Sequence, residues 1–283
     1  MNRGRRLAAA LLVSSIAAAG WARVGLERLV AERSGESELL YLPNGRNLRM
    51  MSLGNAPLAA DLVYLWAIQY YSNYGASDRF RFVEHVFGTV IPELDPRYID
   101  PYWLGSMILT VEAGDLEAGL RILDKGLRNN PEAWVLAYLA GFDCYRAKRY
   151  DRAAAYFDRA ARVPGAPNAV LRMKAGMLAK EGDLESAIES WREVLRDPRG
   201  DAASRAIAER QLRDLTIRAD LLTLDASIRA FRDRFGRPPR RLDELVARGL
   251  VASLPRDPDG HPYAYDPRTG SAWSAAGRVL GDR

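Results

Sequence analysis

The chain has 283 residues, of which 48% are hydrophobic and 27% charged, with a net charge of +5 and one cysteine, Cys144. That hydrophobic content excludes a disordered protein, and the lone cysteine excludes an internal disulfide framework, a cysteine zinc site and an acylated cysteine near the N-terminus. The two histidines, His85 and His261, have no cluster of donors around them, and the basic residues are scattered among 36 acidic ones, so neither a metal centre nor a nucleic-acid partner is expected.

Residues 1–30 begin with Arg3, Arg5 and Arg6 and continue in an uncharged run from Leu7 to Ala22. Sixteen such positions stand at the border between a secretory signal peptide and a membrane anchor, which needs about 17–25 apolar residues. Trp21 and Arg23 have the character of interfacial residues, and the amphipathic stretch Val24 to Val30 follows directly. Both favour an uncleaved anchor, while Ala17 and Ala19 also suit cleavage. Basic residues ahead of the run keep the N-terminus in the cytoplasm and send the chain across the membrane from about residue 30.

Residues 31–56 read as linker and turn: a polar stretch, 31–38, then Tyr41 to Gly45, where Pro43 fixes one torsion and Asn44-Gly45 tolerates positive φ. Asn55 is the predicted N-cap of a helix with Pro57 in its first turn. Leu58, Leu62, Leu65, Trp66, Gln69 and Tyr70 recur at helical spacing, which predicts a helix to about Tyr74 with these residues as its buried face. A second helix is predicted from Ser77 to Ile91, with Phe80, Val83, Phe87 and Val90 inward and Pro92 ending it. Residues 57–99 thus form a degenerate helix pair.

Three phrases then start 34 residues apart: Gly-Asp-Leu-Glu-Ala-Gly-Leu at Gly114, Lys-Arg-Tyr-Asp-Arg-Ala-Ala at Lys148 and Gly-Asp-Leu-Glu-Ser-Ala-Ile at Gly182. This period marks a solenoid of helix pairs that bury their apolar faces by stacking on one another. With repeats from Asp100, Trp134 and Asn168, spanning 100–199, small residues align at Gly119, Ala153 and Ala187. Bulky ones align at Leu123, Phe157 and Trp191, and Gly126, Ala160 and Val194 follow. Gly141 fills the small slot of the second repeat's first helix. These positions resemble the tetratricopeptide repeat (TPR) family, and Trp103 matches its early aromatic. Gly126 and Met107 depart from its pattern, which predicts looser packing in the first repeat.

No fourth turn occurs at Thr216-Ile217. Residues 200–235 are predicted to be one long helix or two that cap the array. Residues 236–283 differ in character: Gly236-Arg237-Pro238-Pro239 breaks the helix, Leu242 to Val246 restarts a short one that Gly249 ends, and Tyr263 and Tyr265 alternate as in a small strand or hairpin. The stretch from Leu254 through Asp257-Pro258-Asp259-Gly260 to Tyr265 resembles the C-terminal region of type II secretion pseudopilins over Ile228 to Ser274. The pseudopilin N-terminus is absent, so the tail reads as a borrowed module.

No P-loop, Gly-x-Ser-x-Gly, His-Glu-x-x-His or Cys-x-x-Cys occurs, so no catalytic, cofactor-binding or metal residue and no small-molecule substrate is expected. Asp257, Asp259 and Asp266 read as turn formers ahead of calcium ligands. Asp61 and Gln69, polar on an apolar helix, are expected to be satisfied by the turn around Gly45. The TPR resemblance implies a concave groove lined by the first helix of each repeat, here by Leu104, Ile108, Tyr138, Phe142, Tyr145, Arg146, Arg172 and Lys180. Aromatic and cationic side chains together suit an extended peptide or a helix with acidic groups. The chain's own tail is the other candidate occupant. The whole chain resembles membrane-anchored TPR proteins of Gram-negative, particularly deltaproteobacterial, bacteria. The expected fold is all-α: a TPR-type helical solenoid behind an N-terminal transmembrane helix, with a small α+β appendage. The resemblance implies a non-enzymatic scaffold anchored in the inner membrane, facing the periplasm and serving secretion, type IV pilus or transporter machinery. The alternative is a periplasmic ligand-binding protein or enzyme with a pocket between residues 41–74 and the C-terminal module.

Overall fold

A computed structural model describes residues 42–75 and 78–274, so the anchor at 1–30 and the polar stretch at 31–38 lie outside the described residues. No helix among the described residues is long and apolar enough to cross a membrane. The first element among the described residues is a helix where the sequence predicts only linker and turn: α1, Gly45–Met51, capped by the Asn44 side chain, which accepts from Asn47 N at 2.9 Å. Gly45 serves close approach here and not positive φ, since a Cβ would stand 2.6 Å from both Glu93 Cβ and Val90 O.

Helix α2, Ala56–Tyr71, is three residues shorter than predicted, and Asn55 precedes it without a side-chain capping bond. Its buried face is also another one. Ala56, Ala60, Val63, Ala67 and Tyr71 point inward, whereas Leu58, Leu62 and Leu65 are 57–60% exposed and Gln69 is exposed. The helix is apolar almost all round, so periodicity cannot choose a face. The small residues Ala60 and Ala67, both fully buried, face the neighbouring helices, and the larger leucines are left outside.

The predicted helix at 77–91 starts later and ends later. Val83–His85, Val86–Val90 and Ile91–Leu94 run on as one helix, α3, with a π-helical middle. The chain passes through Pro92 because the carbonyl that proline leaves without an i+4 donor, Gly88 O, accepts instead from Lys125 Nζ at 2.6 Å.

The repeats follow as helix pairs. Helix α4 is Ile99–Met107 with a π-helical extension, Ile108–Glu112, and it pairs with α5, Leu116–Asn129. Helices α6, Trp134–Arg146, and α7, Tyr150–Ala161, form the second pair, and α8, Asn168–Glu181, and α9, Leu184–Arg196, the third. The repeated Gly-Asp phrase has a visible cause. Gly114 and Gly182 hold φ of 74° and 96°, and Asp115 and Asp183 cap α5 and α9 through Ala118 N and Ser186 N. In the second repeat Lys148 occupies the left-handed position at φ 59°, and Arg149 provides no side-chain cap.

The first repeat is not loosely packed. Tyr102 is fully buried over Gly126, where a Cβ would come within 2.8 Å of its ring, and its hydroxyl donates to Pro96 O and accepts from Asn129 Nδ2. The missing methyl is the space the tyrosine fills. One apolar core runs from α2 through α8, and a second joins α8 and α9 to α10, Ala202–Phe235, a single 34-residue helix. Successive second helices are stitched by Glu84–Arg121 (2.7 Å), Glu117–Arg152 and Tyr156–Asp124 (3.0 Å).

The tail packs on the C-terminal half of α10. Ile217, Leu224, Ile228 and Phe231 meet Leu242, Leu245 and Tyr263 in a third cluster. Its elements are α11, Asp243–Ala247, and the antiparallel pair β1, Ala264–Asp266, and β2, Ser271–Trp273. The hairpin carries Tyr265, while Tyr263 sits just before it and donates to Asp220 at 2.7 Å.

Candidate functional site

The aromatic residues of α6 form a ladder along one edge of the second repeat. Trp134, Tyr138, Phe142, Tyr145 and then Tyr150 of α7 follow one another with ring centroids 6.2, 6.4, 6.0 and 6.4 Å apart. Helical spacing accounts for the order, since residues three and four apart share a face. Tyr138 is held from below by Phe157, 5.8 Å away. Phe142 keeps 38% of its surface open, and Lys180 Nζ lies 5.8 Å over the Tyr150 ring. Arg146, exposed in the last turn of α6, adds a second cation beside the ladder. Under the ladder Asp143 accepts from Ser106 Oγ at 3.2 Å, and burial raises its carboxyl above the usual range.

Of the eight residues predicted to line the groove, Tyr138, Phe142, Tyr145, Arg146 and Lys180 come together here. Ile108 does not. It is buried in the core at the point where the π-helical turn Ile108–Glu112 begins, and that turn rotates the residues beyond it. Leu104 is half-buried against the core. Trp103 and Val111, 44% and 46% exposed, are the open apolar side chains of α4 instead. Trp103 was legible as a family aromatic, but no sequence signal marked the π turn that exposes Val111. Arg172 is half-buried within electrostatic reach of Asp201, the cap of α10, and its Nε has no hydrogen bond.

The groove is not filled by the described part of the tail, whose buried side chains all pack on α10, α11 and the hairpin. Among the described residues, 42–74 and the tail do not meet in a pocket. The first segment packs at one end of the solenoid, on α3 and α4, and the tail at the other. Shallow cavities among the described residues include one of about 340 Å³ within the tail module beside Arg240 and Tyr263 and another of about 430 Å³ beside Arg49, Ser52 and Asp95. Asp61 is satisfied by the Tyr98 hydroxyl and not by the turn around Gly45.

Asp257, Asp259 and His261 approach one another, with Asp266 elsewhere in β1. The buried Asp257 carboxylate is already occupied: burial acts to raise its carboxyl, but hydrogen bonds from the His261 amide, Ser274 Oγ and the Asp259 amide together hold it below the usual range. Asp259 pairs with Arg213. These contacts close a turn.

No protein-family model matches the chain, and no curated protein matches it. Solved structures similar to it include YrrB, described as a TPR protein with an unusual peptide-binding site, at 19% identity over 51% of this chain and 73% of that one, TM-score 0.35. A fragment of MamA from Desulfovibrio magneticus RS-1 is 16% identical, covers 54% of this chain and 92% of its own, and has TM-score 0.33. PilF of Pseudomonas aeruginosa is 18% identical over 68% and 91%, TM-score 0.36. What this chain shares with them is the fold of stacked helix pairs at a 34-residue pitch.

Proposed function

We propose that this protein is a non-enzymatic scaffold, anchored in the inner membrane by residues 7–22 and facing the periplasm, whose groove holds an acidic, extended or helical segment of a partner in an envelope complex of the secretion, pilus or transporter kind. The observation that carries the reading is the aromatic ladder from Trp134 to Tyr150, open at Phe142 and flanked by Arg146 and Lys180. Aromatic side chains supply large contact area at small entropic cost, and the cations select acidic partners and reject basic ones. The basic start and uncharged run of the leader support the anchor and its orientation.

A photo-cross-linking residue placed at Phe142 in the native membrane should give a discrete adduct with an envelope protein. The same residue at Arg192, exposed on the second helix of the third repeat, should give none. Equal labelling at both positions, or none at Phe142, refutes the groove. A reporter fused after residue 283 should be active only in the periplasm, and cytoplasmic activity refutes the topology.

A further inference from the structure

The largest apolar exposure among the described residues is not in the groove. Of the twelve large hydrophobic side chains left open, six fall between residues 50 and 65: Met50, Met51, Leu53, Leu58, Leu62 and Leu65. Leu53 stands out. It is 90% exposed at the tip of the turn between α1 and α2, and its backbone is in the left-handed region at φ 50°, a conformation that disfavours leucine. A strained turn that holds a leucine in water is costly twice over unless something apolar receives it.

Charge sharpens the point. From 42 to 72 only Arg46, Arg49 and Asp61 are charged, three of 31 residues in a chain that is 27% charged. Asp61, exposed on the same side of α2 as Leu58, Leu62 and Leu65, is the single acid of the segment and interacts with the Tyr98 hydroxyl. Arg46, Arg49 and Met50 share one side of α1 by their spacing, which sets basic and apolar groups side by side. Apolar side chains at an open face, with a basic fringe and a single acid engaged by a tyrosine hydroxyl, is the pattern of an element lying in the headgroup region of a bilayer.

We infer that the face formed by α1, the Leu53 turn and the outer side of α2 rests on the membrane surface and lays the N-terminal end of the solenoid against the lipid. This rests on the anchor reading above, which also supplies the reason that lipid is the occupant. The uncharged run ends at Ala22, so α1 begins 23 residues from the bilayer and stays within about 75 Å of it even if that link is fully extended. A tether of that length turns docking into an intramolecular event, for which modest apolar contacts suffice. The groove at α6 is a full repeat further along and remains clear of the surface.

The test uses the full chain with Leu62→Cys carrying an environment-sensitive nitrobenzoxadiazole label, reconstituted in phosphatidylglycerol–phosphatidylethanolamine vesicles. Glu209→Cys, exposed on α10, is the control. Native Cys144 is fully buried and its thiol is pushed up to about 11 by burial, so it stays unlabelled. The expected result is a blue-shifted emission at 62 that nitroxide-bearing lipid acyl chains quench at least twofold, with no quenching at 209. Adding Leu58→Asp and Leu65→Asp should abolish the quenching while the chain still floats with the vesicles. A blue shift without quenching overturns the inference in favour of the chain's own leader or a second copy as the cover. A water-like spectrum on floated chain overturns it outright. Failure to float refutes the anchor and takes this inference with it.

Discussion

Lys148 is the one repeat turn at which the second unit departs from its neighbours, and replacing it with glycine should stabilise the protein. The turn is closed like a Schellman motif: Arg149 N donates to Cys144 O at 2.9 Å and Lys148 N to Tyr145 O at 3.0 Å. That geometry requires positive φ at 148, which Gly114 and Gly182 adopt freely at the equivalent places and lysine adopts at a cost of about 1–2 kcal/mol. Glycine returns part of the gain through its freer unfolded chain, so Lys148→Gly should add about 1 kcal/mol net. Arg149→Asp on top of it would restore the side-chain cap that Asp115 and Asp183 give, worth about 1 kcal/mol in isolation. Arg149 also helps neutralise Glu117, so the second step should add less than the first. Thermal and urea unfolding followed by circular dichroism would measure both, with an expected rise in Tm of about 2–4 °C for Lys148→Gly. An unchanged or lower midpoint would show that the turn relaxes to accept lysine, and the strain reasoning would be wrong.

The clasp at the end of the third repeat should give a pH-dependent loss. Asp197, buried, accepts from Arg199 and Asn168, and chiefly the Arg199 hydrogen bond lowers its carboxyl to about 2. A lowered carboxylate stabilises the fold above its unfolded value and loses that contribution as pH falls from about 4 to about 2. With Arg199 43% exposed and screened, Asp197→Asn should cost about 1–2 kcal/mol at pH 7 and roughly half of that at pH 3 in urea melts, and an equal gap at both would refute the assignment. Lys125→Met should cost about 1–2 kcal/mol by orphaning Gly88 O, and clearly less in a Pro92→Ala background, where the new N–H can take that carbonyl. A double-mutant cycle with no coupling would separate the lysine from the proline. Cys144, fully buried with its thiol pushed up to about 11, should resist aromatic disulfide reagents at pH 8 until denaturant is added, and immediate reaction would place it at the surface.

Much of the array is legible in the sequence. The 34-residue period, the Gly-Asp starts and the small and bulky slots locate α4 to α9 because each unit repeats the same contacts, so three copies of a pattern report one geometry. The absence of glycine and proline between Ala202 and Phe235 leaves a single helix, and Gly236 with Pro238 ends it. Tyr138, Phe142, Tyr145, Arg146 and Lys180 lie near one another because within α6 and α8 the turns are regular.

Where the register or the choice of face depends on a neighbour, the sequence was silent. Ile108 is in the core because of what packs on α4 there, and Val111 is outside because a π turn, which no residue type announces, follows Ile108. Gly126 predicts looser packing by itself, and Tyr102 from a neighbouring helix fills the space. Helix α2 is apolar on every side, so hydrophobicity alone could not say whether Leu58, Leu62 and Leu65 or Ala60 and Ala67 face inward. That was decided by which side chains lie against α3 and α4, a matter of close approach between helices distant in the chain. Local propensity and repetition therefore determined the helices and their pairing by themselves. The faces those helices present, including the open ladder at Phe142 and the bare leucines of α2, were decided only by packing, because exposure is a property of what a side chain meets.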